Sequence, residues 1–254
     1  MIDISIAIVA YHNEEDVRNA VCSIMGHTAD VVSKKIYIID NSAQQNGLGE
    51  LEREWPQVEY LPTGRNLGFG RGHNYVLSRL DSKFHAIVNP DILLVEDSLS
   101  ALMGFLEKTG AGMAVPRLLD TEGKLQAVYR REVTVADMGI RMFLHSHFKK
   151  RQAYHTMQDM DYGKPFQVPF AQGSFLVVRT KLLQELGGFD ERYFMYMEDA
   201  DLCRTVNLVS SLWYCPDTGV IHKWERGSHK DRKLLKAHIV SMVRYFRKWG
   251  WRLW

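Results

Sequence analysis

Three carboxylates fall within four residues in Tyr196-Met197-Glu198-Asp199-Ala200-Asp201. Mutual repulsion makes such crowding costly unless a cation, a proton or a substrate hydroxyl uses it. Other acidic groups stand just past apolar runs: Asn13-Glu14-Glu15-Asp16 after Ile6-Ala7-Ile8-Val9-Ala10, Asp40 after Ile36-Tyr37-Ile38-Ile39, and Asp91 of Asn89-Pro90-Asp91 after Ile87-Val88. If those runs are strands, the carboxylates lie where open α/β sheets form ligand crevices, beyond the carboxyl ends of the strands. A fixed carboxylate there can take the proton of an attacking hydroxyl. Another, joined by substrate and water oxygens, can hold Mg2+ or Mn2+ against developing negative charge.

Each motif also has a structural reading. Glu198, Asp199 and Asp201 suit the first turn of a helix, where the backbone dipole favours acids, with Asp201 pairing Arg204 at helical spacing. Asn89-Pro90-Asp91 is also a plain turn sequence. His222, after Gly219-Val220-Ile221, is either a ligand or a hydrogen-bonded core histidine.

The frame for these groups is an alternation of strands and helices. Strands are expected at about 4–10, 35–39, 58–61, 85–88 and 112–115. Between them, Val17, Ala20, Val21 and Ile24 mark a helical stripe, and helices are expected over 48–54, 72–80 and 98–108, the last capped by Ser98. This rhythm predicts an α/β fold with a mostly parallel sheet covered on both faces. Residues 120–168 are polar and lack a clear period, so they read as a loop-rich insertion, mobile until ligand binds. Its His145, His147 and His155 are metal ligands or solvated loop residues.

Gly64-Arg65-Asn66-Leu67-Gly68-Phe69-Gly70-Arg71-Gly72-His73-Asn74 invites a dinucleotide-binding reading. His73 stands where that fingerprint needs a small residue, and the loop follows the third strand rather than the first. What remains is a glycine-rich entry to a helix, able to approach a phosphate or sugar, or a structural turn with left-handed glycines. No Walker A pattern occurs.

A chain of 254 residues, 46% hydrophobic, can bury a full core. We expect one domain over 1–228 and a C-terminal appendage over 229–254. Cys22, Cys203 and Cys215 lack zinc or redox spacing, which favours a reduced, cytoplasmic protein. The N-terminal apolar stretch is broken by Asp3 and reads as a strand rather than a signal peptide. No apolar run approaches the ~20 residues of a membrane span.

The net charge of +2 is divided unevenly. Residues 229–254 hold eight Lys or Arg against Asp231 alone, a net +7, which leaves −5 for the rest. Leu235, Ile239, Met242, Phe246, Trp249 and Leu253 follow helical spacing there, and Trp249, Trp251 and Trp254 cluster at the end. Such a basic amphipathic helix suits the surface of an anionic membrane; packing on the core or forming a homodimer would use the same apolar stripe. The acidic body disfavours nucleic acid as a partner.

The ordered set Ala10-Tyr11-His12-Asn13-Glu14, Asp40-Asn41-Ser42, Asn66-Leu67-Gly68-Phe69-Gly70 with Asn74, Asn89-Pro90-Asp91, Gly173-Ser174-Phe175, and Gly187-Gly188-Phe189-Asp190 leading to Phe194 through Leu202 resembles the family 2 glycosyltransferases. The likeness covers roughly residues 4 to 225 and points to the branch of bacterial rhamnosyltransferases. It implies a GT-A fold and inverting transfer from a nucleoside-diphosphate sugar, dTDP-L-rhamnose by branch, to a polyprenyl-diphosphate-linked saccharide in cell-surface polysaccharide synthesis. It implies that Ala10, Tyr11, Asn13, Glu14, Asp40, Arg65, Asn66, Gly68, Asn74, Asn89 and Asp91 line the donor site, with Asp40 on the base. Asn89-Pro90-Asp91 takes the place of the family's D-x-D motif, and Asn89 departs from it. Asp91 with His222 would then hold Mg2+ or Mn2+, and Asp199 would be the base. Phe194, Tyr196, Glu198 and Trp224 are expected on the acceptor side, the aromatic rings facing C–H groups of a sugar. A UDP-hexose donor and a catalytically silent glycan-binding module are the alternatives. If the tail lies on the bilayer, the protein is expected at the inner face of the cell membrane.

Overall fold

The computed structural model describes the chain apart from residues 45, 144–146 and 224–231. Its first half alternates as expected, except that the short β5 was not expected: β1 (Ile2–Ala10), α1 (Glu14–His27), β2 (Lys34–Asp40), a 3-10 turn (Gly47–Glu50) running into α2 (Leu51–Glu54), β3 (Val58–Pro62), α3 (Phe69–Asn74), β4 (Ser82–Val88), β5 (Ile92–Leu94), α4 (Ser98–Thr109) and β6 (Met113–Leu119). The second half holds α5 (Val135–Phe143), α6 (Lys149–His155), β7 (Phe166–Gln167), β8 (Phe175–Arg179), α7 (Thr180–Glu185), α8 (Glu198–Val209), β9 (Leu212–His222) and α9 (Arg232–Trp249).

Among the described residues these strands form one sheet in the order β3-β2-β1-β4-β8-β6-β9-β5, with β7 beside β9. Pairing is parallel from β3 to β4, as the sequence rhythm predicts. Beyond β4 the sheet is mixed: β8 runs antiparallel to β4 and β6, and β5 antiparallel to β9, so the expectation of a mostly parallel sheet holds for the first half only. Strands β1, β2 and β4 bury both faces and read as continuous apolar runs, the signature of a doubly covered sheet. Ala10 pairs with Asp40 and Ile8 with Val88, so these three strands end together at one edge, where their loops meet.

Two other expectations change. The helix read over 72–80 starts at Phe69 and stops at Asn74, with a separate 3-10 turn at Leu77–Arg79. Residues 120–168 hold, among long loops, two short helices that the sequence reading lacks; α5 buries Met138 and Ile140, and Thr134 and Asp137 cap its first turn reciprocally. Helices of nine and seven residues are too short to show a period against a polar background.

Helix α9 packs inward through Tyr245 and Phe246, 2% and 1% exposed, with Met242 and Trp249 against the same core. The apolar stripe read from the tail is therefore split, because Leu235 and Ile239 face solvent. No described helix is long and apolar enough to cross a membrane.

Candidate active site

The turn Asn89-Pro90-Asp91 leaves β4 and enters β5, whose antiparallel pairing sets Ile92 opposite His222 of β9. That register brings His222 Nε2 to 3.4 Å from Asp91 Oδ2. On the other side of the ring, Gln126 gives its amide N–H to the His222 carbonyl, so its Oε1 faces Nδ1 at 2.9 Å. An amide oxygen only accepts, so Nδ1 carries a hydrogen, as in metal-ligating histidines whose Nε2 faces the ion. In that tautomer the pair suits a positive centre between them. Asp91 Oδ1 is buried with no hydrogen-bond partner among the described residues, a second oxygen available to a cation. These two side chains fit a divalent ion completed by substrate oxygens and water. Among the described residues no third His, Cys, Asp or Glu joins them, and Asn89 instead lines the neighbouring cavity.

That cavity, about 250 Å³, holds the acidic motif. Met197, at φ +70°, turns the chain into α8, whose first residues are Glu198 and Asp199. Asp199 accepts backbone N–H groups from Gly173 at 3.1 Å and Ala200 at 2.8 Å, which fix its carboxylate in the wall. Burial nevertheless pushes its pKa upward. Glu198 is 5% exposed and is pushed up to about 8 by burial and then by the charge of Asp199. Glu198 Oε2, Gln172 Oε1 and Ser174 Oγ, all lining this cavity, are buried without partners among the described residues. A cavity with so many unanswered polar atoms is built for a polar guest.

Asp201, by contrast, faces away. Its carboxylate accepts from Lys248 Nζ at 2.7 Å, Trp249 Nε1 at 2.6 Å and the Tyr193 hydroxyl at 3.2 Å, not from Arg204 as helical spacing predicts. Arg204 lies over the Trp249 ring instead.

On the donor side, Ala10 ends β1, Tyr11 and Asn13 follow it, and Glu14 opens α1. Tyr11 is half exposed and gives its N–H to Asn13 Oδ1, while His12, at φ +56°, gives its N–H to Ser42. Asp40 is fully buried at the end of β2, accepting from the Ser42 N–H, Asn46 and the Tyr60 hydroxyl. It organises this wall, and a direct base contact requires one of those partners to move aside. Arg65 is exposed, and Asn66 Oδ1 accepts from the Gly68 N–H.

Gly68, at φ +82°, lies so close to the Phe194 carbonyl that a Cβ would stand 2.1 Å from that oxygen. Gly72 is equally constrained by Val9 of β1. These glycines press α3 onto the sheet and onto the segment before the acidic motif, which favours the structural reading of the glycine-rich loop. The Asn74 amide pairs both ways with the Phe189 backbone, so it clamps the Gly187-Gly188 turn. The helix folds it toward that turn because Gly188 leaves room for its Oδ1.

Phe194 is 45% exposed, and Tyr196 stacks on His238 of α9 with ring centroids 4.5 Å apart. Trp224 and His145 lie outside the described residues. His155 sits in α6 beside Asp137, 3.5 Å away, and His147 is exposed. The sequence reading missed Arg130, Arg141 and His238, which also line the cavity. They come from three segments with no shared motif, and only the tail's heptad-like spacing placed His238 on a helix at all.

An open sheet that gathers carboxylates from several strand ends around the Asp91–His222 pair and a neighbouring polar cavity has the architecture of the GT-A fold, and solved structures share it. GalNAc-T7 with UDP, GalNAc and Mn2+ matches with a TM-score of 0.73 at 14% identity, over 97% of this chain and 48% of that one, so the chain spans about half of that structure. The mannosyltransferase PcManGT of Pyrobaculum calidifontis, with GDP-Man and Mn2+, matches at TM-score 0.66 and 14% identity, over 97% and 66% of the two chains. The chain belongs to glycosyl transferase family 2, whose model its sequence matches over residues 5–187. It is thus a glycosyltransferase, and inversion is consistent with that membership. Relatives include the N-acetylglucosaminyl-diphospho-decaprenol L-rhamnosyltransferase of Mycobacterium tuberculosis, 28% identical over 85% of this chain and 76% of that one. The rhamnosyltransferase WbbL of Escherichia coli is 25% identical over 96% and 92%.

Proposed function

We propose that this glycosyltransferase moves L-rhamnose from dTDP-L-rhamnose, with inversion, to a polyprenyl-diphosphate-linked saccharide at the cytoplasmic face of the cell membrane. The observation that carries the reading is Asp199, fixed by two backbone N–H groups in a polar cavity that Asn89 joins to the Asp91–His222 pair. The rhamnose term comes from both relatives and the lipid-linked acceptor from the Mycobacterium tuberculosis one, whose name is that of a diphospho-decaprenol rhamnosyltransferase.

Asp91 and His222 would hold Mg2+ or Mn2+, which would supply counter-charge to the departing diphosphate. Tyr11, Asn13 and Asp40 shape the nucleoside side. The acceptor enters the cavity beside Tyr196, and Asp199 takes the proton of its hydroxyl as the new bond forms on the face opposite the leaving group. Burial keeps Asp199 more basic than an exposed aspartate, which suits that task. The exposed face of α9 and the terminal Trp251 and Trp254 rest on the anionic bilayer surface.

Calorimetric titration of dTDP and UDP, each with and without Mn2+, tests donor and metal together. Mn2+-dependent binding that favours dTDP is expected. A preference for UDP would replace the donor with a UDP-hexose, and binding indifferent to Mn2+ would remove Asp91 and His222 from their role.

A further inference from the structure

Two guanidinium groups in the cavity are unaccounted for by the chemistry above. Arg130 is only 8% exposed, and among the described residues its side chain makes no hydrogen bond or ion pair; it lies over the Phe170 ring at 5.3 Å. Arg141, on α5, stands solvent-exposed at the mouth and likewise has no ion pair among the described residues. Burying an arginine without a counter-ion is costly, and planar guanidinium forks match phosphate oxygens two at a time. Burial and then the charge of Arg141 lower Arg130 to about 9, so each cation opposes the charge of the other. Asp199 lies within reach of their field, but both its oxygens are already answered by backbone N–H groups. His238 adds no charge here, because burial and these arginines lower it to about 4.

We propose that Arg130 and Arg141 bind the diphosphate of the acceptor, so that the acceptor is a glycosyl diphosphate entering this cavity with its sugar toward Asp199. The donor's diphosphate is the other source of such an anion. It belongs at Asp91 and His222, neither of which lines this cavity. The cavity also carries Met138, Phe170 and Met195, apolar surface suited to the first part of a lipid chain leaving the phosphates. This inference rests on the transferase reading and adds the residues that recognise the acceptor.

The test uses the full-length protein saturated with dTDP and Mn2+, into which farnesyl diphosphate is titrated, with farnesol as the phosphate-free control. Farnesyl diphosphate is expected to bind and farnesol not. Arg141→Gln, a surface change that leaves folding intact, is expected to weaken farnesyl diphosphate about tenfold while dTDP affinity stays within about twofold. Arg130→Gln should do the same, with Arg130→Lys recovering part of the loss; a melting curve checks that these buried variants fold. If the variants weaken dTDP instead, the anion is the donor's and the proposal is overturned. If neither ligand responds, the pair serves only as a counter-charge to Asp199, which overturns it equally. Wild-type protein that binds dTDP but not farnesyl diphosphate defeats this inference alone, whereas failure to bind either defeats the transferase reading with it.

Discussion

Glu198 and Asp199 are neighbours in sequence, yet their surroundings push them to different tasks. Asp199 is held by two N–H donors at the cavity wall, while Glu198 is buried with one oxygen unanswered among the described residues. Replacing Asp199 by Asn keeps those contacts' shape but removes the proton acceptor. Transfer is expected to fall by about 10²–10⁴-fold with dTDP affinity unchanged, and turnover at the original rate would take Asp199 out of the base role. Glu198 makes a separate prediction about stability. Its native pKa is raised to about 8, so between the ordinary glutamate range and pH 8 the folded protein holds a proton that the unfolded chain has released. Stability therefore declines as pH rises through that window. Glu198→Gln is expected to melt above wild type at pH 9 and close to it at pH 5; an equal difference at both pH values would show that Glu198 is not buried in its neutral form.

At the scale of elements, α9 is the part that sequence placed but could not orient. Its basic residues look like a solvated or lipid-facing set, but Lys248 instead reaches Asp190 at 3.0 Å and Asp201 at 2.7 Å. Ser241 donates to the Met195 carbonyl, and the segment beyond the helix caps α5 through bonds from the Val135 and Ala136 N–H groups to the carbonyls of Arg252 and Leu253. One C-terminal segment thus braces both the acidic motif and the helix that carries Arg141. Lys248→Ala leaves Asp201, 3% exposed at its side chain, with only its neutral donors. We expect a loss of about 1–3 kcal/mol in urea unfolding, against less than about 0.5 kcal/mol for the exposed Arg247→Ala. Equal effects would mean that the Lys248–Asp201 contact does not secure the helix.

For the whole molecule the question is how a chain of net charge +2 meets its acceptor. Docking α9 leaves Leu235 and Ile239 exposed at 45% and 41%, with Lys236 and Val240 beside them, and Trp254 at 77% beyond the helix. A surface mixing exposed apolar and basic groups suits a membrane interface, where each Lys or Arg near anionic lipid contributes ~1 kcal/mol before screening. The protein is expected to float with phosphatidylglycerol vesicles and to remain behind with phosphatidylcholine. Leu235→Ser with Lys236→Glu, both on the outer face, should reduce flotation severalfold without moving the melting temperature. Flotation unchanged by that pair would retire the anchoring role and leave the face free for a second copy of the chain.

The sequence by itself determined the order of elements through β6, apart from the short β5, and which acidic residues stand at strand ends. Those signals are local: continuous apolar runs mark doubly covered strands, and Asp40, Asp91 and Asp199 sit immediately beside the elements that carry them. The Thr134-Val135-Ala136-Asp137 cap was legible too, but two short helices gave no period to support it. What only the tertiary structure decided were contacts between segments far apart in the chain. Asn74 answers Phe189 across 115 residues, His222 reaches Asp91 through an antiparallel pairing that no rhythm announces, and Arg130, Arg141 and His238 meet from three separate elements. Side-chain type and spacing say which residues can do chemistry; which of them face the cavity depends on register and packing, and those are set by the whole sheet at once.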